Sequence, residues 1–151
     1  MNAPVVPALP PDTVLRVLNP VMRRVLRTPL GRLAGSFALL DFTGRRSGRS
    51  YRVPVGWYEV DGRPFVLTPA PWRVNFAGGA EVVVHHRGRA QRMTGTLDSD
   101  ADEVARLVRA LLASGIRDRM VGMEITDGHE VTADDMRHID RRVVRLEARS
   151  P

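Results

Sequence analysis

Residues 43–57, with the sequence TGRRSGRSYRVPVGW, hold the densest group of side chains in this chain that could bind or react with a ligand. The segment 44–48 is typical of a turn, and together with Arg49 it offers backbone N–H groups, a serine hydroxyl and guanidinium groups on one concave surface. Arg52, on the strand that leaves this turn, is expected to project toward the same end of the sheet. The pattern predicts an anion-binding turn, and a solvated basic hairpin is the alternative interpretation.

The composition agrees with an anionic ligand. All 23 basic residues are arginine, against 17 acidic residues, which gives a formal net charge of +6 and a pI near 11.2. Arginine carries a planar fork of donors that matches phosphate or carboxylate in a bidentate way. Nucleic acid is not expected as a partner, because the few aromatic residues are not interleaved with the arginines as a stacking surface requires.

Several kinds of chemistry have no basis in the sequence. There is no cysteine, and the four histidines, His85, His86, His129 and His138, lack the i, i+4 spacing that brings two imidazoles to one metal. Neither a G-x-S-x-G motif, a P-loop nor a G-x-G-x-x-G motif is present. We therefore expect no metal site and no catalytic side chain of a hydrolase type.

The N-terminal part of the chain predicts a leader and a helix. Residues 1–11 are rich in proline and are expected to be a flexible leader, without the features of a secretory signal. Asp12 can cap an amphipathic helix over residues 12–27, which Pro20 interrupts and whose polar side carries arginines. This helix is expected to cap a barrel, with contact to an anionic membrane surface as the alternative. No apolar run is long enough to span a bilayer, so we expect a cytoplasmic protein, with membrane association through this helix as the open alternative.

From residue 36 onward the sequence is typical of β-strands. Strands are predicted over 37–43, 51–60, 64–68, 81–86, 89–97 and 142–146, with hairpin turns at Asp61-Gly62 and Arg87-Gly88. Residues 73–76 predict a helical turn or loop, a helix is expected after Ser99 or Asp100 as far as Gly115, and another begins at Thr132. The prediction is a mainly β, α+β fold: one β-barrel domain over 12–151, of about six antiparallel strands with an N-terminal helix and helices between the later strands.

The succession of these motifs resembles the deazaflavin (coenzyme F420)-dependent nitroreductase family of the split-barrel flavin and deazaflavin oxidoreductases. The resemblance rests on residues 43–48, on Arg52-Val53-Pro54-Val55, on the Asp-Gly hairpin, on residues 72–76 and on the last strand. It implies that the cofactor's acidic tail lies at the turn and its ring beside residues 53–55. The cofactor-binding residues implied or proposed are Arg45, Arg46, Ser47, Gly48, Arg52, Val53, Pro54, Val55, Thr68, Trp72 and Asn75.

The activity that the resemblance implies is hydride transfer from reduced coenzyme F420 to an activated double bond, quinone or nitro-type acceptor, with FMN as the alternative cofactor. Trp57 and Tyr58 are expected to line the acceptor space. The cofactor carries the chemistry, so no catalytic side chain is required. Residues 68–71 are short and contain two prolines, which leaves open a non-catalytic barrel that binds a flavin, tetrapyrrole or lipid-like ligand. A homodimer that covers exposed strand edges is also expected.

Overall fold

The computed structural model describes residues 3–7 and 37–149. Seven strands form one antiparallel sheet in the order β3-β2-β6-β7-β9-β5-β4, and a two-stranded sheet pairs β1 with β8. The strands are β1 Val5–Pro7, β2 Phe37–Thr43, β3 Ser50–Gly56, β4 Tyr58–Val60, β5 Arg63–Thr68, β6 Ala80–His86, β7 Arg89–Asp98, β8 Met123–Ile125 and β9 Arg142–Ala148. The helices are α1 Ala101–Ala113 and α2 Ala133–His138, with 3-10 helices at Pro71–Phe76 and Asp118–Val121.

The large sheet is curled because its two edge strands are consecutive in the chain. β3 ends at Gly56 and β4 begins at Tyr58, so Trp57 alone separates strands that stand at opposite ends of the strand order. A flat sheet of seven strands, spaced about 4.8 Å apart, could not bring these edges together. The sheet therefore closes on itself at Trp57, and among residues 3–7 and 37–149 no strand pairs with the outer edge of β3, as in the split barrel that the family resemblance implies.

Local sequence signals fix the two hairpins. Asp61 and Gly62 join β4 to β5 with φ angles of 54° and 74°, and Arg87 and Gly88 join β6 to β7 with φ angles of 54° and 75°. Two successive positive φ angles are the conformation whose twist matches that of the flanking strands. Both predicted hairpins are confirmed.

Two apolar clusters lie on opposite faces of the sheet. One fills the barrel and includes Leu40, Phe42, Phe76 and Leu146. The other lies between the outer face of β5 and β9 and the two helices, where α1 buries Val104, Leu107, Val108 and Leu111. Leu112, which packs against the same cluster, is half-buried. Asp100 caps α1 by accepting the Asp102 N–H at 3.0 Å, and Thr132 forms a capping box with Asp135 at the start of α2.

Three stretches differ from the sequence-based expectations. Val5–Pro7, inside the predicted flexible leader, is a strand, because Val5 is fully buried beside Met123 and β8 satisfies its backbone groups. The single strand predicted over 51–60 is broken at Trp57, where the barrel closes. Residues 116–131, without assignment from sequence, contain the second 3-10 helix and β8.

The predicted helix over residues 12–27 lies outside the described residues, so its contact with a barrel or a membrane stays a prediction. Within residues 3–7 and 37–149, the helices are all too short or too polar to cross a membrane.

Candidate functional site

Residues 44–49 form the turn between β2 and β3, and we call them the basic turn. The basic turn is attached to the 3-10 helix Pro71–Phe76. The Arg45 backbone N–H donates to Asn75 Oδ1 at 2.7 Å, and the Arg45 guanidinium donates to the Ala77 carbonyl. The structure therefore brings together two segments that the sequence analysis selected separately.

The oxygen and the nitrogen of the Asn75 side-chain amide both form hydrogen bonds within the protein. Its Oδ1 accepts from Arg45, and its Nδ2 donates to the Trp72 carbonyl at 2.8 Å. Trp72 is held in turn by Phe42 and Phe76, with ring centroids 5.7 and 6.0 Å away. Asn75 is therefore a positioning residue for the basic turn.

The basic turn is compact, and its charged side chains are exposed. Gly48 adopts φ 67° and donates to the Gly44 carbonyl at 3.0 Å, while Ser47 Oγ accepts the Arg49 N–H at 3.2 Å. A Cβ on Gly44 would lie 2.6 Å from the Tyr51 ring, so only glycine fits there. The exposed guanidinium groups of Arg45, Arg46 and Arg49 surround this turn.

Alternation along β3 separates the residues predicted to line the cofactor ring. Val53 and Val55 face the barrel interior, whereas Pro54 lies on the outer face. Arg52 is on that outer face as well, where its Nε lies 3.2 Å from Asp41 Oδ1. The other oxygen of Asp41 lies 2.8 Å from His85 Nε2. A ligand on one side of β3 cannot touch all three residues 53–55 with their side chains.

Thr68 is buried and serves the local backbone. Its Oγ1 accepts the Ala70 N–H at 2.9 Å, and its carbonyl accepts from Arg73 at 3.4 Å. Arg73 Nη2 also donates to both oxygens of the Asp140 carboxylate, at 2.9 and 3.1 Å. This arrangement fixes the short Pro-containing segment 69–71 against the α2–β9 connection.

A second candidate region is a cleft of about 1270 Å³ at the end of the barrel where Trp57 closes the sheet. We call it the barrel mouth. Its floor consists of core side chains, Val84, Met93 and Leu146, and its walls come from the β4–β5 and β6–β7 hairpins, the end of β9 and one side of α1. Its polar lining residues are Trp57, Glu59, Arg63, His86, Arg87, Arg89, Gln91, Glu103, Arg106, Arg145 and Glu147.

Trp57 forms a rigid aromatic wall of the barrel mouth. Its ring stacks on His86 with centroids 4.0 Å apart and an interplanar angle of 19°, and its Nε1 donates to Glu59 Oε1 at 3.1 Å. Both neighbours restrict rotation of the indole. The wall is thus preformed, which lowers the entropy cost of binding a ring against it.

The arginines of the barrel mouth fall into two groups. Arg145 donates to Glu103 at 3.0 Å and to Asp98 at 3.3 Å, and Arg106 donates to Glu103 at 3.0 and 3.1 Å. The hydrogen bonds from Arg106, and to a smaller extent those from Arg145, lower the pKa of Glu103 below its usual value, although burial acts in the opposite direction. In the described part of the chain, the exposed arginines Arg63, Arg87 and Arg89 have no carboxylate within ion-pair distance.

Tyr58 does not line the barrel mouth beside Trp57. The two are adjacent in the chain and point to opposite faces, so Tyr58 packs beside Phe65 and its hydroxyl donates to the Met120 carbonyl at 2.6 Å. Burial raises the pKa of Tyr58, partly offset by the nearby charge of Arg141. The barrel mouth contains Trp57, and Tyr58 belongs to the helical side of the sheet.

Most of the barrel mouth was not predicted from the sequence, although two strands carried a signal. On β6 the interior positions run from Val82 and Val84 to His86, and on β7 from Met93 to Gln91 and Arg89. A change from apolar to polar side chains on one face of a strand indicates where the core ends and an opening begins. The contributions from β9 and α1 depend on contacts more than 40 residues apart and have no such local signal.

Fold and site together define a split-barrel protein with a basic turn at one end of β3 and an open, arginine-lined mouth at the other. Among residues 3–7 and 37–149, no group of three or more histidine or acidic side chains is arranged to hold a metal ion. No protein-family model matches the chain, and a search of curated proteins found no match.

Solved structures resemble the chain at low identity. The conserved hypothetical protein Rv2991 from Mycobacterium tuberculosis matches with a TM-score of 0.50 and 14% identity, over 99% of this chain and 85% of that one. HutZ, the haem storage protein of Vibrio cholerae, matches with a TM-score of 0.49 and 13% identity over 89% and 92% of the two chains. A general stress FMN/FAD-binding protein of Xanthomonas citri gives 0.44 and 15% over 89% and 86%. At 14% identity, the likeness to Rv2991 concerns the fold and not a shared ligand.

Proposed function

We propose that this protein is a deazaflavin-dependent oxidoreductase that holds the acidic tail of coenzyme F420 at the basic turn. The observation that carries the proposal is the 2.7 Å hydrogen bond from the Arg45 N–H to Asn75 Oδ1. It unites the two segments, residues 43–48 and 72–76, on which the family resemblance depends.

The donors of the basic turn fit a polyanionic tail. Arg45, Arg46 and Arg49 are exposed and lie within five consecutive residues. A compact turn with several guanidinium groups and backbone N–H groups favours phosphate and carboxylate oxygens. Nothing in the turn is acidic, so an anion meets no like charge there.

The free edge of β3 supports the proposal for the rest of the cofactor. In the described part of the chain, β2 is the hydrogen-bonded neighbour of β3 on one side, and the sheet order ends at β3 on the other. The seven residues of β3 span about 23 Å from the basic turn to Trp57. An extended ligand whose tail lies at the turn can follow this edge toward the barrel mouth. Pro54 and the backbone of β3 would flank it.

When bound and reduced, coenzyme F420 supplies a hydride to an activated double bond, quinone or nitro-type acceptor. The protein's own part is to bind and orient. The arginines hold the anionic tail, Asn75 fixes the shape of the turn, and Trp57 offers a flat apolar wall for an acceptor ring. Holding two reactants at reacting distance can supply much of the rate enhancement without an acid or base from the protein.

A fluorescence titration with coenzyme F420 tests the proposal. Wild-type protein should bind saturably in the micromolar range. The double variant Arg45→Ala, Arg46→Ala should bind at least roughly a hundredfold more weakly, because it removes two charge-assisted hydrogen bonds to an anion, each of which contributes about 1.5–3 kcal/mol.

The matched control is Arg117→Ala, Arg137→Ala, which removes the same charge from exposed positions outside both candidate regions. It should bind as wild type does. Equal weakening in the control would indicate a general charge effect, and no binding by the wild-type protein would overturn the proposal.

A second candidate function, non-catalytic binding of a flavin, tetrapyrrole or lipid-like ligand, has one observation in its favour. The Thr68 side chain and the Asn75 amide are both engaged within the protein, although both were expected to contact the cofactor. Steady-state assays with reduced F420 and a panel of quinone and nitro acceptors distinguish the two. Binding without turnover of any acceptor would favour the second candidate.

A further inference from the structure

The barrel mouth has the features of a ligand site that is separate from the basic turn. The two lie at opposite ends of β3, about 23 Å apart along the strand. We infer that the barrel mouth binds a planar aromatic ring system that carries an anionic group, with the ring against Trp57 and the anion at Arg63 and Arg89. The inference holds whether or not the basic turn binds coenzyme F420.

The ring chemistry follows from the wall and floor. Trp57 is fixed by His86 on one side and by Glu59 through its indole N–H. The floor of Val84, Met93 and Leu146 is apolar and comes from the packed barrel core. A preformed aromatic wall above an apolar floor favours a flat ligand that can stack and exclude water.

The anionic group follows from the charges. Five arginines and three glutamates line the barrel mouth. Arg106 pairs with Glu103 and Arg145 pairs with Glu103 and Asp98, whereas Arg63 and Arg89 have no ion-pair partner among the described residues. Unpaired guanidinium groups at the rim of an apolar cleft are available for bidentate binding of phosphate or carboxylate.

The size of the cleft excludes the smallest candidates. At about 1270 Å³ it exceeds the range of roughly 300–1,000 Å³ usual for small-molecule sites. A single benzene ring with a carboxylate would leave most of this space to water. A fused ring system with an extended anionic substituent uses both the wall and the rim.

Flavin mononucleotide and riboflavin are suitable probes, because they share one ring system and differ by the phosphate. The titration uses the Trp72→Phe protein, in which Trp57 is the single remaining tryptophan and reports directly on the barrel mouth. We expect saturable quenching of Trp57 fluorescence by flavin mononucleotide, with riboflavin at least tenfold weaker. A thermal melt of each variant verifies that it is folded.

The decisive comparison is between matched arginine variants in this background. Arg63→Gln, Arg89→Gln should weaken flavin mononucleotide binding at least tenfold, and Arg117→Gln, Arg137→Gln should leave it unchanged. Arg45→Ala, Arg46→Ala should also leave it unchanged, which separates this inference from the proposed function. Loss of flavin mononucleotide binding in that variant alone would place the probe at the basic turn and overturn the inference.

Light scattering decides between a ligand and a second copy of the chain as occupant. A dimer that dissociates in Arg63→Gln, Arg89→Gln, together with no quenching of Trp57, would make the barrel mouth a protein interface and overturn the inference. Quenching of Trp57 that is unchanged by the Arg63 and Arg89 substitutions would overturn the inference as well.

Discussion

The Arg45 backbone N–H donates to Asn75 Oδ1 across 2.7 Å, joining residues 30 positions apart in the chain. The turn that carries the exposed arginines therefore depends on a side chain from another part of the fold. Asn75 is in turn oriented by its bond to the Trp72 carbonyl. Binding at the basic turn should respond to Asn75 even though its amide faces the protein.

Asn75→Ala should loosen the basic turn and weaken coenzyme F420 binding. The loss of one hydrogen bond costs about 1 kcal/mol of binding free energy, which is roughly a fivefold decrease in affinity. Amide hydrogen exchange at Arg45 should accelerate, a readout that does not require the cofactor. Asn75→Asp keeps the acceptor Oδ1 and should keep the slow exchange. An unchanged Arg45 exchange rate in Asn75→Ala would contradict the positioning role.

Gly95→Ala should destabilise the barrel. A Cβ at this position would lie 2.7 and 2.9 Å from two atoms of the Phe76 ring, which is itself fully buried. Overpacking of this kind costs about 1–3 kcal/mol of unfolding free energy, measured by urea denaturation. Phe76→Leu makes room beside Gly95, so the two substitutions together should cost less than the sum of the single ones. Additive losses of unfolding free energy would contradict a clash between a Cβ at position 95 and the Phe76 ring.

Tyr58 should make the folded protein less stable above pH 10. Burial raises the pKa of Tyr58 in the folded state, so above the usual value near 10 the folded chain retains a proton that the unfolded chain has released. Its contribution to stability is complete below that pH and is lost as the pH rises through the folded pKa.

The pH dependence can be measured by urea denaturation between pH 9 and pH 11. Tyr58→Phe should lose less stability than wild type over this range. Absorbance titration should also show a tyrosine phase above the usual pKa that is absent in Tyr58→Phe. Equal pH dependence of both proteins would refute the role of Tyr58.

Val5→Ala should test whether the N-terminal strand belongs to the folded domain. Val5 is 1% exposed and packs with Met123 in the apolar cluster between the sheet and the two helices, whereas its neighbour Val6 is half-buried. Removing two buried carbons costs about 1–2 kcal/mol of unfolding free energy. Val6→Ala should cost less. Identical, negligible effects of both substitutions on the urea midpoint would show that β1 contributes little to stability.

Short-range patterns in the sequence were enough to predict most elements. Runs of strand-forming residues mark β2, β5 and β6, Asp61-Gly62 and Arg87-Gly88 mark the hairpins, and Thr132 marks the start of α2. Each of these signals acts within a few residues, because side-chain direction, turn dihedrals and helix caps are local properties of the backbone. The sequence by itself therefore determined most of the succession of strands and the position of the basic turn, while the family resemblance indicated the split-barrel class.

Tertiary structure decided how distant residues meet. Val5–Pro7 becomes a strand only because β8 lies beside it, and Asn75 contacts Arg45 only because the 3-10 helix packs on the β2–β3 turn. The barrel mouth gathers Trp57, Arg89 and Arg145 from separate strands once the sheet has curled. Such contacts depend on the packing of the whole chain, and no local periodicity or propensity encodes them.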